Sequence, residues 1–307
     1  MSVVDAPKTA RELLGVRMFL VGYLPTFAAG AVLGVLALAR VPGGLRFADA
    51  WHAVTTMTLG QALAGLLVLT MLVVLLHPLQ LPMIRLLEGY WPRWAEPVSA
   101  FGRRRQERRR RTLTSAAELP DTDDVAAVQR AGQAGTRLRA AFPVGDRPLL
   151  PTALGNALSA AESRAGREYG WDGIVAWPRL YPVLGEQVRA VVDDRRDGMD
   201  AAARFSVTML ATAVLAVPVL AGTGWWLLFT LTPLALSRVA YRGAVHAAVA
   251  YGEAVRVAFD LHRFDLLRAL HLPLPADQET ERVLNEGLCT MWRQDPSSRL
   301  AYDHGAE

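Results

Sequence analysis

The densest chemistry in the chain is the pentapeptide DDRRD, Asp193 to Asp197. On a helix, carboxylates at i, i+1 and i+4 can share a hard cation through oxygen ligands. No metal site is assigned, but Asp193, Asp194 and Asp197 are its nearest candidates, and Asp200 adds a fourth acid. Arg195 and Arg196 lie among them and can neutralise the cluster locally. A facing set of acids is represented only by Asp260 and Asp265. The plainer reading is a solvated helix whose acids and arginines form helical pairs.

A second pattern is a polar line. Arg238, Arg242, His246, Glu253 and Asp260 follow spacings of 4, 4, 7 and 7, with Arg256 close to the same line. Such spacing places them near one face of a helix. In a ring of subunits that face could line a pore, with arginines selecting anions; in a single chain it is the wet side of a helix. His262 and Asp265 share a helix face, but two ligands do not make a metal site.

The third is FGRRRQERRRRT, residues 101–112, with Arg103, Arg104, Arg105, Arg108, Arg109, Arg110 and Arg111 offset only by Glu107. Its plainest role is to hold a loop on the cytoplasmic side of a membrane, helped by anionic headgroups at about 1 kcal/mol per residue near the surface. Docking of an acidic protein partner is the alternative. Nucleic acid is not expected, because no stacking aromatics or recognisable binding domain accompany the run.

The fourth is an elbow, LLPTALGNALSAAESRAGREYGWDGIVAWPRLYPVL, residues 149–184. Thr152 can cap a helix with an apolar face of Leu154, Leu158, Ala161 and Ala165, and Tyr169-Gly170 stops it. Asn156, Glu162, Asp172, Trp177 and Arg179 could face a ligand or a membrane surface there. Equally, the aromatics pack a small core and Arg179 pairs with an acid.

These patterns depend on where the apolar blocks lie. Met18–Ala39 holds 22 residues without Asp, Glu, Lys or Arg, and at about 1.5 Å per residue it can cross a hydrocarbon core of about 30 Å. Ala53–Ile84 is broken at His77-Pro78, so a span over 53–76 is expected. An interfacial segment then follows over 77–101, with Tyr90, Trp91 and Trp94 at headgroup depth. Phe205–Ser237 reads as a hairpin turning at AGTG (221–224), with spans over 205–221 and 224–241 and with Arg204 and Arg238 snorkelling to one interface; a re-entrant hairpin is the alternative. Residues 102–124 read as an arginine-rich linker. Helices are expected to start at Asp121 to Asp124 and run to about Phe142, to run from about Leu184 into the third span and out of the fourth to about Leu270, and to form over 277–293. The arginine balance of the loops puts both termini and the long connection in the cytoplasm. No cleavable leader is evident.

Composition narrows the classes. Just over half of the 307 residues are hydrophobic although a fifth are charged, which fits apolar blocks separated by charged ones. Lys8 is the only lysine, and Ala, Arg, Gly, Leu and Val abound, the coding bias of a GC-rich bacterial genome. One cysteine, Cys289, leaves no intramolecular disulfide and no Cys-based zinc site. No P-loop, HExxH, nucleophile elbow or dinucleotide fingerprint is present, and no cofactor is expected.

Two resemblances complete the reading. DDRRD matches the DDxxD pattern of isoprenoid synthases, which would imply a Mg²⁺-dependent prenyl diphosphate enzyme using Asp193, Asp194 and Asp197. The string LPTALGN…AAE…YGWD…AWPRL, followed by DLHRFDLLRALHLPLP, resembles a group of multi-pass membrane proteins of high-GC bacteria without an assigned activity. It covers roughly residues 149–285 and implies a membrane location. The expected fold is therefore an all-α integral membrane protein with four spans in two hairpins and a helical cytoplasmic domain. The expected function is non-catalytic: to anchor or assemble partners at the cytoplasmic face as a homo-oligomer in an anionic bilayer. A homo-oligomeric pore is the alternative.

Overall fold

The computed structural model describes residues 24–41, 44–76, 80–119 and 124–293. The chain is predominantly helical and divides into two compact units, Met1–Arg85 with Asp200–Ala244, and Leu86–Met199 with Val245–Glu307.

In the first unit, α1 (Leu24–Ala39) leads through a two-stranded antiparallel ribbon, β1 (Arg40–Val41) and β2 (Gly44–Leu45), to α2 (Phe47–Thr55) and α3 (Leu59–Leu76). Arg40 lies opposite Leu45 and Val41 opposite Gly44. A side chain at Gly30 would place its Cβ 2.5 Å from Leu69 Cδ1, so glycine lets α1 lie close to α3. The unit also takes in parts of two long helices, α9 (Glu186–Leu220) and α10 (Leu231–Ala269), whose numbering leaves room for the helices of the second unit. Ser206 on α9 donates to the Ser237 carbonyl of α10 at 3.0 Å and ties the pair. The connection between them turns at Gly222 (φ 82°) and Gly224 (φ 69°), a left-handed conformation that glycine adopts without a Cβ penalty.

Among the described residues, one helix, α9, is long and apolar enough to cross a membrane; the bent pair α2–α3 adds a second if it is counted as one span, with a bend of 111°. The described part of the first segment, α1, has 16 residues, and 18–23 lie outside the described residues. The fourth segment opens as a 3₁₀ helix, Gly224–Thr230, before α10 begins. Two tryptophans and a phenylalanine stack there, Trp225 on Trp226 at 4.2 Å and Trp226 on Phe229 at 5.2 Å.

The second unit begins in α4 (Gln80–Glu88) and includes α5 (Glu96–Ala117), α6 (Val125–Ala141), α7 (Ala153–Arg164), α8 (Gly173–Leu180) and α11 (Gln278–Trp292). Its core gathers Trp171, Leu180, Phe259, Leu266, Leu267 and Leu288. Side-chain caps set the helix starts: Asp124 accepts from Ala126 N, Thr152 from Gly155 N, Asp172 from Ile174 N and Asp277 from Thr280 N. The helices expected from Asp121–Asp124 to about Phe142 and over 277–293 correspond to α6 and α11.

The expected linker over 102–124 is different. Residues 102–117 of it belong to α5, so the arginine run is helical. Arginine is a good helix former, and carboxylates one or two turns back offset the charge: Arg103 pairs with Glu96, and Arg111 with Glu107 at 2.6 Å. Residues 120–123 of that segment lie outside the described residues.

Candidate functional site

The elbow is built from its buried amide outward. Asn156 is fully buried. Its Oδ1 accepts from Leu150 N at 2.9 Å, and its Nδ2 donates to the carbonyls of Leu150 and Thr152, both at 2.8 Å. All of its capacity but one lone pair is spent on the loop that enters α7, so it pins the backbone. Gly170, at φ 79°, could carry no side chain: a Cβ would sit 2.5 Å from the Arg282 carbonyl oxygen.

Asp172 does three things. It caps α8, its main-chain N–H donates to Cys289 Sγ at 3.3 Å, and its carboxylate pairs with Arg293. Trp171 stacks on Trp292 at 5.7 Å and 8°, and Arg179 lies over the Trp292 ring at 4.3 Å. Trp177 packs against Tyr181 and Phe259. The five expected elbow residues therefore separate: Asn156 and Trp177 hold the fold, and Arg179 covers a tryptophan. Only Glu162 and Asp172 line one open cavity, of about 580 Å³, facing Arg147, Arg167, Arg282 and Arg293.

Glu162 meets Arg147 at 3.5 Å. Burial raises its pKa, Arg147 opposes that rise, and the Asp172 charge adds to it. Ser163 beside it is engaged with the Ala160 carbonyl and Val144 N–H. Burial pushes the Cys289 thiol up. The cavity can hold charged groups, but it presents no activated nucleophile.

The other patterns fare differently. Asp193 of DDRRD accepts from the Tyr181 hydroxyl at 2.7 Å, a bond that also raises the Tyr181 pKa. Among the described residues no group of three His, Cys, Asp or Glu could hold a metal ion. His262 contacts Asp265 at 2.8 Å, and Arg268 takes the other oxygen of Asp265 at 2.8 Å. On α10, Arg238, Arg242, His246 and Glu253 are exposed, and Glu253 pairs with Arg256 at 2.6 Å. Asp260 turns inward and accepts from the Tyr169 hydroxyl at 3.0 Å. The arginines of α5 spread around it: Arg103 and Arg110 are half-buried, while Arg104, Arg105, Arg108, Arg109 and Arg111 occupy an arc of about 160° at 3.6 residues per turn. Arg109 reaches to 6.0 Å from the Phe142 ring.

Sequence reading missed the polar core of α11. Glu281 is buried and pairs with Arg263 at 2.9 Å, and Arg263 lies 4.1 Å from the Tyr169 ring centroid and 4.4 Å from that of Phe264. Asn285, fully buried, donates to the Tyr169 carbonyl at 2.7 Å. The signal was there: 281, 285, 288 and 292 share a helical face, so Glu281 and Asn285 interrupt the stripe that carries Leu288 and Trp292.

Compared with known protein families, curated proteins and solved structures, the chain matches none.

Proposed function

We propose that the chain is an integral protein of the bacterial cytoplasmic membrane, crossing it four times with both termini inside. Its helical second unit serves as a cytoplasmic platform for protein partners. The observation that carries this is α3. It is apolar on every side, yet Leu63, Leu66, Leu67, Val68, Met71, Val74 and Leu75 are all more than half exposed. A helix that is hydrophobic all round belongs in a protein core or in lipid. Moving these side chains from water to hydrocarbon gains on the order of 10 kcal/mol. On α9, Val214, Leu215 and Val217 add a second exposed apolar surface. An anchoring role is supported by the large helical second unit and the arginine-rich helix α5, which offer surfaces to partners.

The test is extraction. Membranes from expressing cells, washed with alkaline carbonate, should retain the protein in the pellet, and mild detergent should release it. Release by carbonate alone would end the membrane reading.

A pore is the second reading, favoured by the exposed row Arg238, Arg242 and His246 on α10. It requires a ring of subunits to give that row an axis to face.

A further inference from the structure

We propose that the cavity of about 600 Å³ bounded by Arg139, Arg164, Arg167 and Arg256 is a binding site for a phosphate-bearing anion. The site lies wholly in the second unit, so it stands or falls independently of membrane insertion.

The four arginines come from α6, the end of α7, the 3₁₀ turn Arg167–Tyr169, and α10. Residues separated by more than a hundred positions converge on one concavity. Arg164 is the centre of the cluster. Its Nε donates to the Arg139 carbonyl at 2.9 Å and its Nη2 to the Phe142 carbonyl at 3.4 Å. These two neutral acceptors fix the guanidinium plane, and no carboxylate pairs with it among the described residues. Arg139 donates to the Thr136 hydroxyl at 3.2 Å. Only two acids line the same cavity, Glu253 and Glu168, and Glu253 is already engaged by Arg256 at 2.6 Å. Four cations against two anions leave a net charge of +2.

That excess is felt within the site. The Arg164 pKa is lowered by burial first and then by the charges of Arg139, Arg167 and Arg256. Like charges held together in a concave, part-desolvated site cost free energy that a bound anion recovers. Planar guanidinium forks match phosphate oxygens two at a time, which a carboxylate of lower charge exploits less fully. The wall is rigid where it must be: a Cβ at Gly252 would lie 2.5 Å from Ala161 Cβ, so α10 and α7 touch along the floor. A volume of this size holds more than inorganic phosphate, so the ligand is a phosphorylated small molecule or a phospholipid headgroup.

Calorimetry on the full chain in mild detergent separates these sources. One titration uses inorganic pyrophosphate; the other uses dioctanoyl phosphatidate in the same micelles, with dioctanoyl phosphatidylcholine as the neutral control. Binding of pyrophosphate supports a soluble ligand; binding of phosphatidate alone supports a headgroup. In either case Arg167→Gln and Arg139→Gln should each weaken binding about tenfold, the value of one charge-assisted hydrogen bond, and added salt should weaken it further. Both side chains are exposed, so neither substitution should disturb folding; unchanged melting temperatures check this. Arg195→Gln, with the same charge change on an exposed turn of α9, should bind like the parent. Heat from neither anion, or equal loss in Arg195→Gln, overturns the site.

Discussion

Asn156 shows how a polar residue in a suggestive string can be wholly structural. Its three hydrogen bonds satisfy both main-chain groups of Leu150, which otherwise have no partner within α7. Asn156→Ala would strand them, and unpaired part-buried groups cost about 1–3 kcal/mol each. We expect a loss of about 3 kcal/mol, read as a clear fall in melting temperature in detergent; an unchanged melting temperature would refute the pinning role. Glu162 belongs to the same scale and makes a pH prediction. Its folded pKa lies above its ordinary value, so the folded state binds more protons in the interval between the two. Its contribution to stability is therefore fully present below the ordinary carboxylate pKa and is lost as pH rises through the folded pKa. Arg147→Gln removes the one charge that opposes the rise, so the interval should widen upward. Melting temperatures followed from acid to neutral pH should fall over a higher range in Arg147→Gln and lose the feature in Glu162→Gln. Identical profiles in the three proteins would contradict the assignment.

Among the helices, two glycines at helical positions predict opposite outcomes from the same substitution. Gly198 on α9 is exposed, and a Cβ there would meet nothing within 4 Å. Alanine should stabilise the helix by about 0.5–1 kcal/mol, through the conformational freedom that glycine loses on folding. Gly252 on α10 packs on α7, where the added Cβ meets Ala161. Overpacking costs about 1–3 kcal/mol and outweighs the propensity gain. Gly198→Ala should therefore raise the melting temperature and Gly252→Ala lower it. The reverse order would mean that α7 and α10 do not touch. The arginine run belongs to this scale as well. It is held on a helix by Glu96 and Glu107, so its charge is presented on a rigid cylinder.

For the whole molecule, the decisive quantity is mass. The exposed row on α10 can line a pore only if several copies surround it, whereas a partner platform works at any stoichiometry. Light scattering in detergent, with the detergent contribution subtracted, should give a closed oligomer if the pore reading holds, and Arg242→Glu should then change its ion selectivity in bilayers. A monomer would eliminate the ring-shaped pore and leave the platform. The second unit, with arginine-lined cavities at the elbow and between α6, α7 and α10, is where a partner or ligand would then be sought.

What the sequence alone determined was periodic or local. Apolar runs located α1, α3 and α9, because a stretch without charges needs no partner to be recognised. Thr152 and the acids that end at Asp124 announced their helices, because a cap acts on the backbone two or three residues away. The helical state of Arg103–Arg111 was missed because the charge density was read as a linker, while the offsetting contacts of Glu96 and Glu107 form only once the helix exists. The roles of Asn156, Asp260 and Glu281 were decided by the tertiary structure. A buried amide and an exposed one are the same letter, and Asp260 is separated by 91 positions from the Tyr169 that claims it. The convergence of Arg139, Arg164, Arg167 and Arg256 was out of reach for the same reason: a binding site is a set of distances, and distances between remote residues exist only after the helices have packed.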